Sequence, residues 1–347
     1  MSKKSVILTI GPWHDKPWWW SHIKDSIGGC NIEYIRITTT GNKKEGELML
    51  RHLFRLSIKI IRALKRHKPG YVFTFECGVA SFIVAALQRV GFMTSMKHII
   101  LQFIMREKEP TLRSKLKYLF MRLILSSIDT AVCSSMTEVV YYPEVFRWNT
   151  DKTIFVHCYF DPKYLNITHD RGGDFILTAG RTFRDYDTFF KAVNDIGNEV
   201  VVVASPWNIN NINIPKNVSI KYDIPLGELT ELMRKSTVVV VPLEDRKIST
   251  GQSIFLQAMA MGKAVVVTKT AGTVDYINHL ENGLLVPPGD NQQMCEAIKF
   301  LLENEKERIN IGKNAHKWVI KYCLPHHYFG KVRQIVLEEG LRKQETS

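Results

Sequence analysis

Three absences bound this 347-residue chain. No two of its six cysteines (Cys30, Cys77, Cys133, Cys158, Cys295 and Cys323) stand in C-x-x-C spacing. Neither a zinc site nor a disulfide framework is indicated, and free thiols in a reducing compartment are expected. No apolar run reaches the roughly 20 residues that span a bilayer; the longest, 72–87, is interrupted by Glu76. The first apolar strand, 6–10, ends at a lone Gly11, so the G-x-G-x-x-G fingerprint is missing and a nicotinamide enzyme is disfavoured. Lys3 and Lys4 precede that strand, but Trp13-His14-Asp15 follows it where a signal peptide would need small residues. Acids are also scarce: 47 Lys and Arg face 34 Asp and Glu, a net charge of +13. Up to Leu165 the count is 25 against 13, or +12, leaving 22 against 21 for the remainder. A basic first half suits nucleic acid, anionic lipid or an anionic acceptor.

What is present is an alternation of strands and helices. Strands are expected at 6–10, 32–37, 71–75, 98–103, 130–133 and 153–157, with helices at 47–68, 78–89 and 112–127 between them. This is the pattern of a parallel, doubly wound sheet. In the helix 47–68, Arg51, Arg55, Lys59, Arg62 and Arg66 line one stripe and Leu53, Leu56, Ile60 and Leu64 the other. Such a helix either lies on anionic phospholipid or forms the solvated outer face of an α/β domain. The tryptophans Trp18, Trp19 and Trp20 cannot share one helix face, so at least one meets solvent, lipid or ligand unless loop packing buries them. A polar stretch, 161–173, separates a second alternating half with strands at 174–179, 200–204, 218–222 and 237–241. Asp185-x-Asp187 sits at a helix start and reads as a cap rather than a metal pair. Pro325-His326-His327 is expected to break the chain before a last helix near 331–341.

The stretch 243–278 organises this second half. A buried strand runs into the small polar residues Ser249, Thr250, Gly251, Gln252 and Ser253, then a helix 254–261 and another apolar strand from Lys263. Unpaired amides at that helix start, together with its dipole, suit a phosphate; an ordinary βα turn capped by Ser and Thr has the same text. The run from Ser249 to Val267, with Gly272, Asp275-Tyr276 and the series from Glu281 to Asp290, resembles the C-terminal half of GT-B glycosyltransferases, closest to glycosyltransferase family 4 (glycosyl transferases group 1).

The resemblance implies an α/β fold of GT-B architecture, two Rossmann-like doubly wound parallel-sheet domains facing a cleft. The domains would be 1–165, facing acceptor and membrane, and 166–325, binding the nucleotide-sugar donor, with a C-terminal helix in 326–347 crossing back to the first. It implies that Gly180 opens the donor site and that Arg181 binds the donor diphosphate. The family's lysine a few positions later is absent, and Arg184 can substitute, because a guanidinium grips two phosphate oxygens. The loop amides of Thr250, Gly251, Gln252 and Ser253 complete the donor set, with Lys263 peripheral to it. Two family glutamates align with Ser249 and Gln257; Gln257 keeps the capacity to bond ribose hydroxyls, whereas Ser249 brings no carboxylate to the sugar. Retaining and inverting chemistry both stay open. An inverting enzyme needs a base at a strand's carboxyl end in the first domain, where His14, Glu76 and Glu107 are the candidates. The family's histidine after the fourth strand is replaced by Gln102-Phe103.

The expected protein is therefore a metal-independent glycosyltransferase without a cofactor. It would move a sugar from a nucleotide-diphosphate sugar, UDP-linked by preference, to a lipid-linked or polysaccharide acceptor in cell-envelope, capsule or O-antigen synthesis. Its partners would be nucleotide sugar, a lipid-linked or glycan acceptor and an anionic membrane surface, with no nucleic acid, and its place the cytoplasm, peripheral on the inner face of the membrane. The alternatives are a nucleotide-sugar epimerase of the same fold and a non-catalytic basic binding or scaffold protein.

Overall fold

The computed structural model describes residues 6–11, 19–26, 31–36, 49–92, 94–167, 173 and 175–345. The chain divides into two compact units, Met1–Val156 with Phe329–Ser347, and His157–Tyr328. Residues 157–165, placed by sequence with the first domain, cluster with the second unit because Phe160 and Tyr164 enter its core beside Leu177 and Val239.

Unit 1 runs β1 (Val6–Gly11), α1 (Trp20–Ser26), β2 (Asn31–Arg36), α2 (Met49–His67), β3 (Tyr71–Phe75), α3 (Val79–Arg89), β4 (Lys97–Leu101), α4 (Leu112–Leu125), β5 (Thr130–Cys133), α5 (Met136–Phe146) and β6 (Thr153–Phe155). Its six strands are parallel, in the order β2-β1-β3-β4-β5-β6. All five residues of β3 are buried, as a strand covered by helices on both faces requires. On α2 the apolar stripe is in the core, with Leu56, Ile60 and Leu64 all buried, while Arg51, Arg55, Lys59, Arg62 and Arg66 stand exposed. At about 1.5–3 kcal/mol for each buried aliphatic side chain, that face holds the helix down. Trp19 is buried against Phe75, ring centroids 4.7 Å apart, so packing accounts for it; Trp18 lies outside the described residues. Helix α5 went unread in the sequence although it carries a capping signature. Ser135 Oγ accepts from Glu138 N (3.2 Å), and Glu138 Oε2 from Ser134 N (3.0 Å).

Unit 2 runs β7 (Phe175–Ala179), α6 (Tyr186–Val193), β8 (Glu199–Ala204), β9 (Val218–Tyr222), α7 (Leu226–Lys235), β10 (Val238–Val241), α8 (Gln252–Ala260), β11 (Val265–Thr268), β12 (Leu284–Val286), α9 (Asn291–Glu303) and α10 (Glu305–Tyr322). The sheet is again parallel, in the order β12-β11-β10-β7-β8-β9. One face packs on α7, α8 and α10, the other on α6 and α9. Both doubly wound parallel sheets expected from the alternation are thus present. Helix α11 (Pro325–Glu345) closes the chain. The proline-histidine stretch does not break the chain before it but starts it, since the amide that Pro325 lacks has no partner in a first turn anyway. From Phe329 onward the helix clusters with unit 1, where the Tyr71 hydroxyl donates to Val336 O at 3.0 Å.

Strand order reverses between β1 and β3 in unit 1, and between β10 and β7 in unit 2. Open parallel sheets bind ligands outside the carboxyl ends of the strands at such reversals.

Candidate functional site

In unit 2 the loops leaving β7 and β10 carry the donor residues expected from sequence. They are tied together: Asp185 N donates to Pro242 O (3.3 Å), Glu244 N to Phe183 O (3.1 Å), and Arg184 bridges to Leu243. Gly180 has φ +138, and a Cβ there would run into the guanidinium of Arg184, so the position requires glycine. Arg184 donates from Nε to Ala179 O (3.1 Å) and from Nη1 to Thr182 O (2.8 Å), and burial lowers its pKa. Its geometry is that of a brace under the loop rather than the free fork expected to grip phosphate. Tyr186 adds a hydroxyl bond to Gly180 O at 2.7 Å.

Arg181 is different. Its side chain is 59% exposed and Nε lies 3.3 Å from Asp223 Oδ1, which also accepts from Ser205 Oγ at 2.6 Å. Asn208 Nδ2 donates to Arg181 O at 2.7 Å, fixing the backbone as well. An ion pair this exposed is worth at most about 1 kcal/mol, so it aims the guanidinium without locking it. Asp223, Ser205 and Asn208 escaped the sequence reading; the only signal was Asp223-Ile-Pro225 after a strand, a turn cue matched here by φ +48 at Asp223.

The second loop ends at Gly251, φ +89, which caps α8 in the left-handed region. Ile254 N and Phe255 N both donate to Gly251 O, so the amides of Gly251, Gln252 and Ser253 precede the first helical bond and remain for a ligand. Ser249 and Thr250 are buried, at 5% and 6% exposure, and among the described residues the Thr250 hydroxyl has no hydrogen-bond partner. A buried hydroxyl left unpaired costs about 1–3 kcal/mol, which a ligand oxygen would recover. Gln252 is committed, donating from Nε2 to Gly272 O at 2.9 Å. Ser253 is exposed and Gln257 half-buried further along α8. Lys269, exposed at the carboxyl end of β11, adds a cation on this edge that sequence reasoning passed over. Lys263 stands at the opposite end of β11, buried, its Nζ 2.6 Å from Ser236 O.

Other residues of the resemblance hold the fold. Asn282 Oδ1 accepts from Asn278 N (2.7 Å) and its Nδ2 donates to Tyr276 O (3.1 Å), closing a turn before β12. Asp290 caps α9 through Gln293 N (2.8 Å). Asp185 caps α6 through Thr188 N (3.0 Å) and Asp187 pairs with Lys191 (2.5 Å), as a helix-start reading of that pair expects.

Of the three base candidates in unit 1, His14 lies outside the described residues. Glu76 follows β3 directly, beside the reversal in strand order, exposed and with φ +54. That conformation is held by Glu76 N donating to Leu101 O (2.8 Å) and Ser81 Oγ donating to Glu76 O (2.7 Å). Non-glycine residues kept there cluster at functional sites. Glu107 is half-buried beyond β4, away from the reversal. Burial pushes the neighbouring Cys77 thiol up to about 12, which disqualifies it as a nucleophile.

Residues 208–318 match the family model described as Glycosyl transferases group 1. Among curated proteins, the chain is 32% identical over 96 residues to an N,N'-diacetylbacillosaminyl-diphospho-undecaprenol alpha-1,3-N-acetylgalactosaminyltransferase of Campylobacter jejuni, covering 28% of this chain and 25% of that protein. The matched stretch spans only 7% to 25% of the length of the first three such relatives. Among solved structures, a sucrose-phosphate synthase from Thermosynechococcus elongatus superposes with a TM-score of 0.72 at 15% identity, covering 98% of this chain and 100% of that one. Anabaena HepE in complex with UDP-glucose superposes with a TM-score of 0.67 at 12% identity, covering 96% and 99%. At these identities the structural likeness establishes the fold.

Proposed function

From a chain that has the GT-B fold and carries the glycosyl transferases group 1 pattern over residues 208–318, we propose a glycosyltransferase that takes its sugar from a nucleotide-diphosphate sugar, UDP-linked by preference. The observation that carries the reading is the pairing of an exposed Arg181 with the amides and orphaned Thr250 hydroxyl at the start of α8, both at the β7/β10 reversal. A departing diphosphate needs donors aimed where charge develops. Arg181 supplies a full charge aimed by Asp223, the amides of Gly251 to Ser253 and the α8 dipole supply about half a charge more, and Gln257 is set to bond ribose hydroxyls. This scheme has no metal step. Retaining and inverting transfer both fit this scheme; an inverting one calls for a base from unit 1, for which Glu76, at the strand reversal of its own sheet, is the candidate.

The acceptor in this reading is lipid-linked or a polysaccharide of the cell envelope, capsule or O-antigen. The Campylobacter relative, by its name, acts on a diphospho-undecaprenol substrate, and the basic first unit suits an anionic acceptor at the inner face of a membrane. Among the described residues no helix is long and apolar enough to cross one.

The test is UDP release from a panel of UDP-hexoses and UDP-N-acetylhexosamines, with a bacterial membrane-lipid extract or delipidated polysaccharide as acceptor. Release that requires one donor and one acceptor fraction, and that falls at least about 100-fold in Arg181→Ala, is expected. Release from no donor with either fraction contradicts the reading.

A further inference from the structure

A departing diphosphate carries more charge than Arg181 and α8 can neutralise. Asp223 stands 3.3 Å from Arg181 Nε, so the guanidinium aimed at the ligand brings with it a carboxylate that cancels much of its field. The α8 dipole adds about half a charge. Arg184 is committed to the carbonyls of Ala179 and Thr182. Arg246, on the loop after β10, is forked onto Glu244 and lies over the Phe183 ring, 4.8 Å from its centroid, which makes a second neutral pair.

Lys269 has no such partner. It is exposed, and among the described residues its ammonium makes neither an ion pair nor a hydrogen bond. Its backbone, by contrast, is fixed. Lys269 N donates to Val286 O at 2.7 Å, which carries the ladder between β11 and β12 one residue past Thr268. Thr268 Oγ1 accepts from Leu243 N at 2.9 Å and so ties the end of β11 to the loop after β10. Beyond Lys269, Thr270 N donates to Thr273 Oγ1 (2.8 Å) and Thr273 Oγ1 to Thr268 O (2.8 Å), closing a turn. That turn presents Gly272 to Ser249 and to the Thr250 amide, and Gln252 Nε2 holds Gly272 O at 2.9 Å. The turn that starts at Lys269 is therefore one wall of the loop leading into α8.

Strand parity gives the side. Val265 and Val267 pack into the core on the α8 face of the sheet, and Val266 into the core on the other face. Lys269 follows Val267 by two residues and is still in the ladder, so it falls on the α8 face at the carboxyl end of the strand. Arg181 after β7 and Lys269 after β11 thus flank the α8 amides from either side of β10.

We propose that Lys269 is the second cation of the diphosphate site and a catalytic residue of the transfer. The bond from the anomeric carbon to the diphosphate oxygen breaks with its electron pair on that oxygen, the acceptor oxygen bonds to the carbon, and the acceptor's proton passes to a base or water. Lys269 keeps its own proton and meets the charge that grows on the departing phosphate. An ammonium on a flexible four-carbon stem can follow that oxygen as it withdraws. The inference rests on the glycosyltransferase reading and adds a residue to it.

The test uses the full chain and the nucleoside diphosphate that wild type binds best among UDP, GDP and ADP. Titration calorimetry gives its Kd, and its release from the sugar donor that wild type turns over gives kcat. Both are measured for wild type, Lys269→Met, Lys269→Arg and Lys247→Gln, with a melting curve for each. Lys269→Met should weaken the diphosphate at least about tenfold, the loss of one charge-assisted bond. It should lower kcat about 100-fold or more, because the oxygen's charge is largest in the transition state. Lys269→Arg should recover most of both losses, and melting should not move, since the side chain is exposed. Lys247→Gln removes an exposed lysine from the loop after β10 and should leave Kd and kcat unchanged. Unchanged Kd and kcat in Lys269→Met overturn the proposal, as does an equal loss in Lys247→Gln, which would make the effect one of overall charge. Weakened binding with wild-type kcat makes Lys269 a binding group and overturns its catalytic role. If wild type binds none of the three diphosphates, or binds one and turns over no donor, the glycosyltransferase reading fails and Lys269 with it. If wild type binds and turns over a donor and Lys269→Met does so equally well, Lys269 fails alone.

Discussion

Gly272→Ala should break donor binding from outside the donor loop. A Cβ at Gly272 would sit 2.6 Å from Ser249 Cα, 3.0 Å from Thr250 N and 3.1 Å from Gln252 Nε2. Carbon atoms rest at about 3.5–4.0 Å, so the backbone of the loop has to withdraw by roughly 1 Å. Overpacking of this kind costs about 1–3 kcal/mol, and losing the Gln252 to Gly272 bond about 1 kcal/mol more. Unit 2 should therefore lose about 2–4 kcal/mol, or roughly 4–16 °C of melting temperature for a unit of its size. Amides displaced by 1 Å no longer meet a diphosphate, and one lost charge-assisted bond of about 1.5–3 kcal/mol weakens UDP at least tenfold. The assay is calorimetric titration with UDP alongside thermal melting. Gly227→Ala is the control: nothing lies within 4 Å of its Cβ, it sits in α7, and alanine there should stabilise by about 0.5–1 kcal/mol with UDP affinity unchanged. Gly272→Ala with wild-type melting and UDP affinity within twofold of wild type would refute the reasoning.

Glu76→Gln should leave the UDP-induced thermal shift intact while lowering kcat by about 10²–10⁴, the usual contribution of a general base; wild-type turnover removes Glu76 from the chemistry. His98 is buried in unit 1, Nε2 2.9 Å from Thr74 Oγ1, and burial, opposed by Asp129, takes its pKa down to about 3. Because an unfolded histidine titrates near 6.5, the unfolded state binds the proton first, so stability drops as pH falls below about 6.5 and keeps dropping towards 3. Urea unfolding at pH 8 and pH 5 should show about 2 kcal/mol more loss in wild type than in His98→Gln; equal losses contradict a neutral buried ring. Gly312→Ala should cost about 3 kcal/mol or more, since its Cβ would strike the carbonyl of Gly262 where α10 crosses it; an unchanged denaturation midpoint would show that the two backbones are not in contact.

Both parallel sheets were legible because their strands are continuous Val and Ile runs separated by helical periodicity, as at 238–241 and 265–268. Periodicity starts α8 at Ile254, two residues late, since Gln252 and Ser253 look like loop in sequence and only the left-handed Gly251 caps them into the helix. On α4 the mixture of Arg113, Lys115, Lys117 and Arg122 with apolar residues is plain in the sequence, but with apolar residues on both the buried and the exposed sides the sequence does not say which of them face outward. Pairing across long separations left no local trace at all. Asp223 lies 42 positions from the arginine it aims, and the role of Arg184 as a brace depends on carbonyls whose direction only the loop geometry sets. The series from Glu281 to Asp290 was conspicuous for a structural reason, a turn, a strand and a cap, and says little about substrate.

In the proposed function, unit 2 holds a nucleotide diphosphate at the β7/β10 reversal with Arg181. Thermal unfolding of wild type and Arg181→Ala with UDP, GDP, ADP and CMP tests it most directly. One nucleotide diphosphate at 100 times its dissociation constant should stabilise wild type by roughly 2.7 kcal/mol and leave Arg181→Ala unmoved. No shift with any nucleotide, or an equal shift in both proteins, would contradict the account.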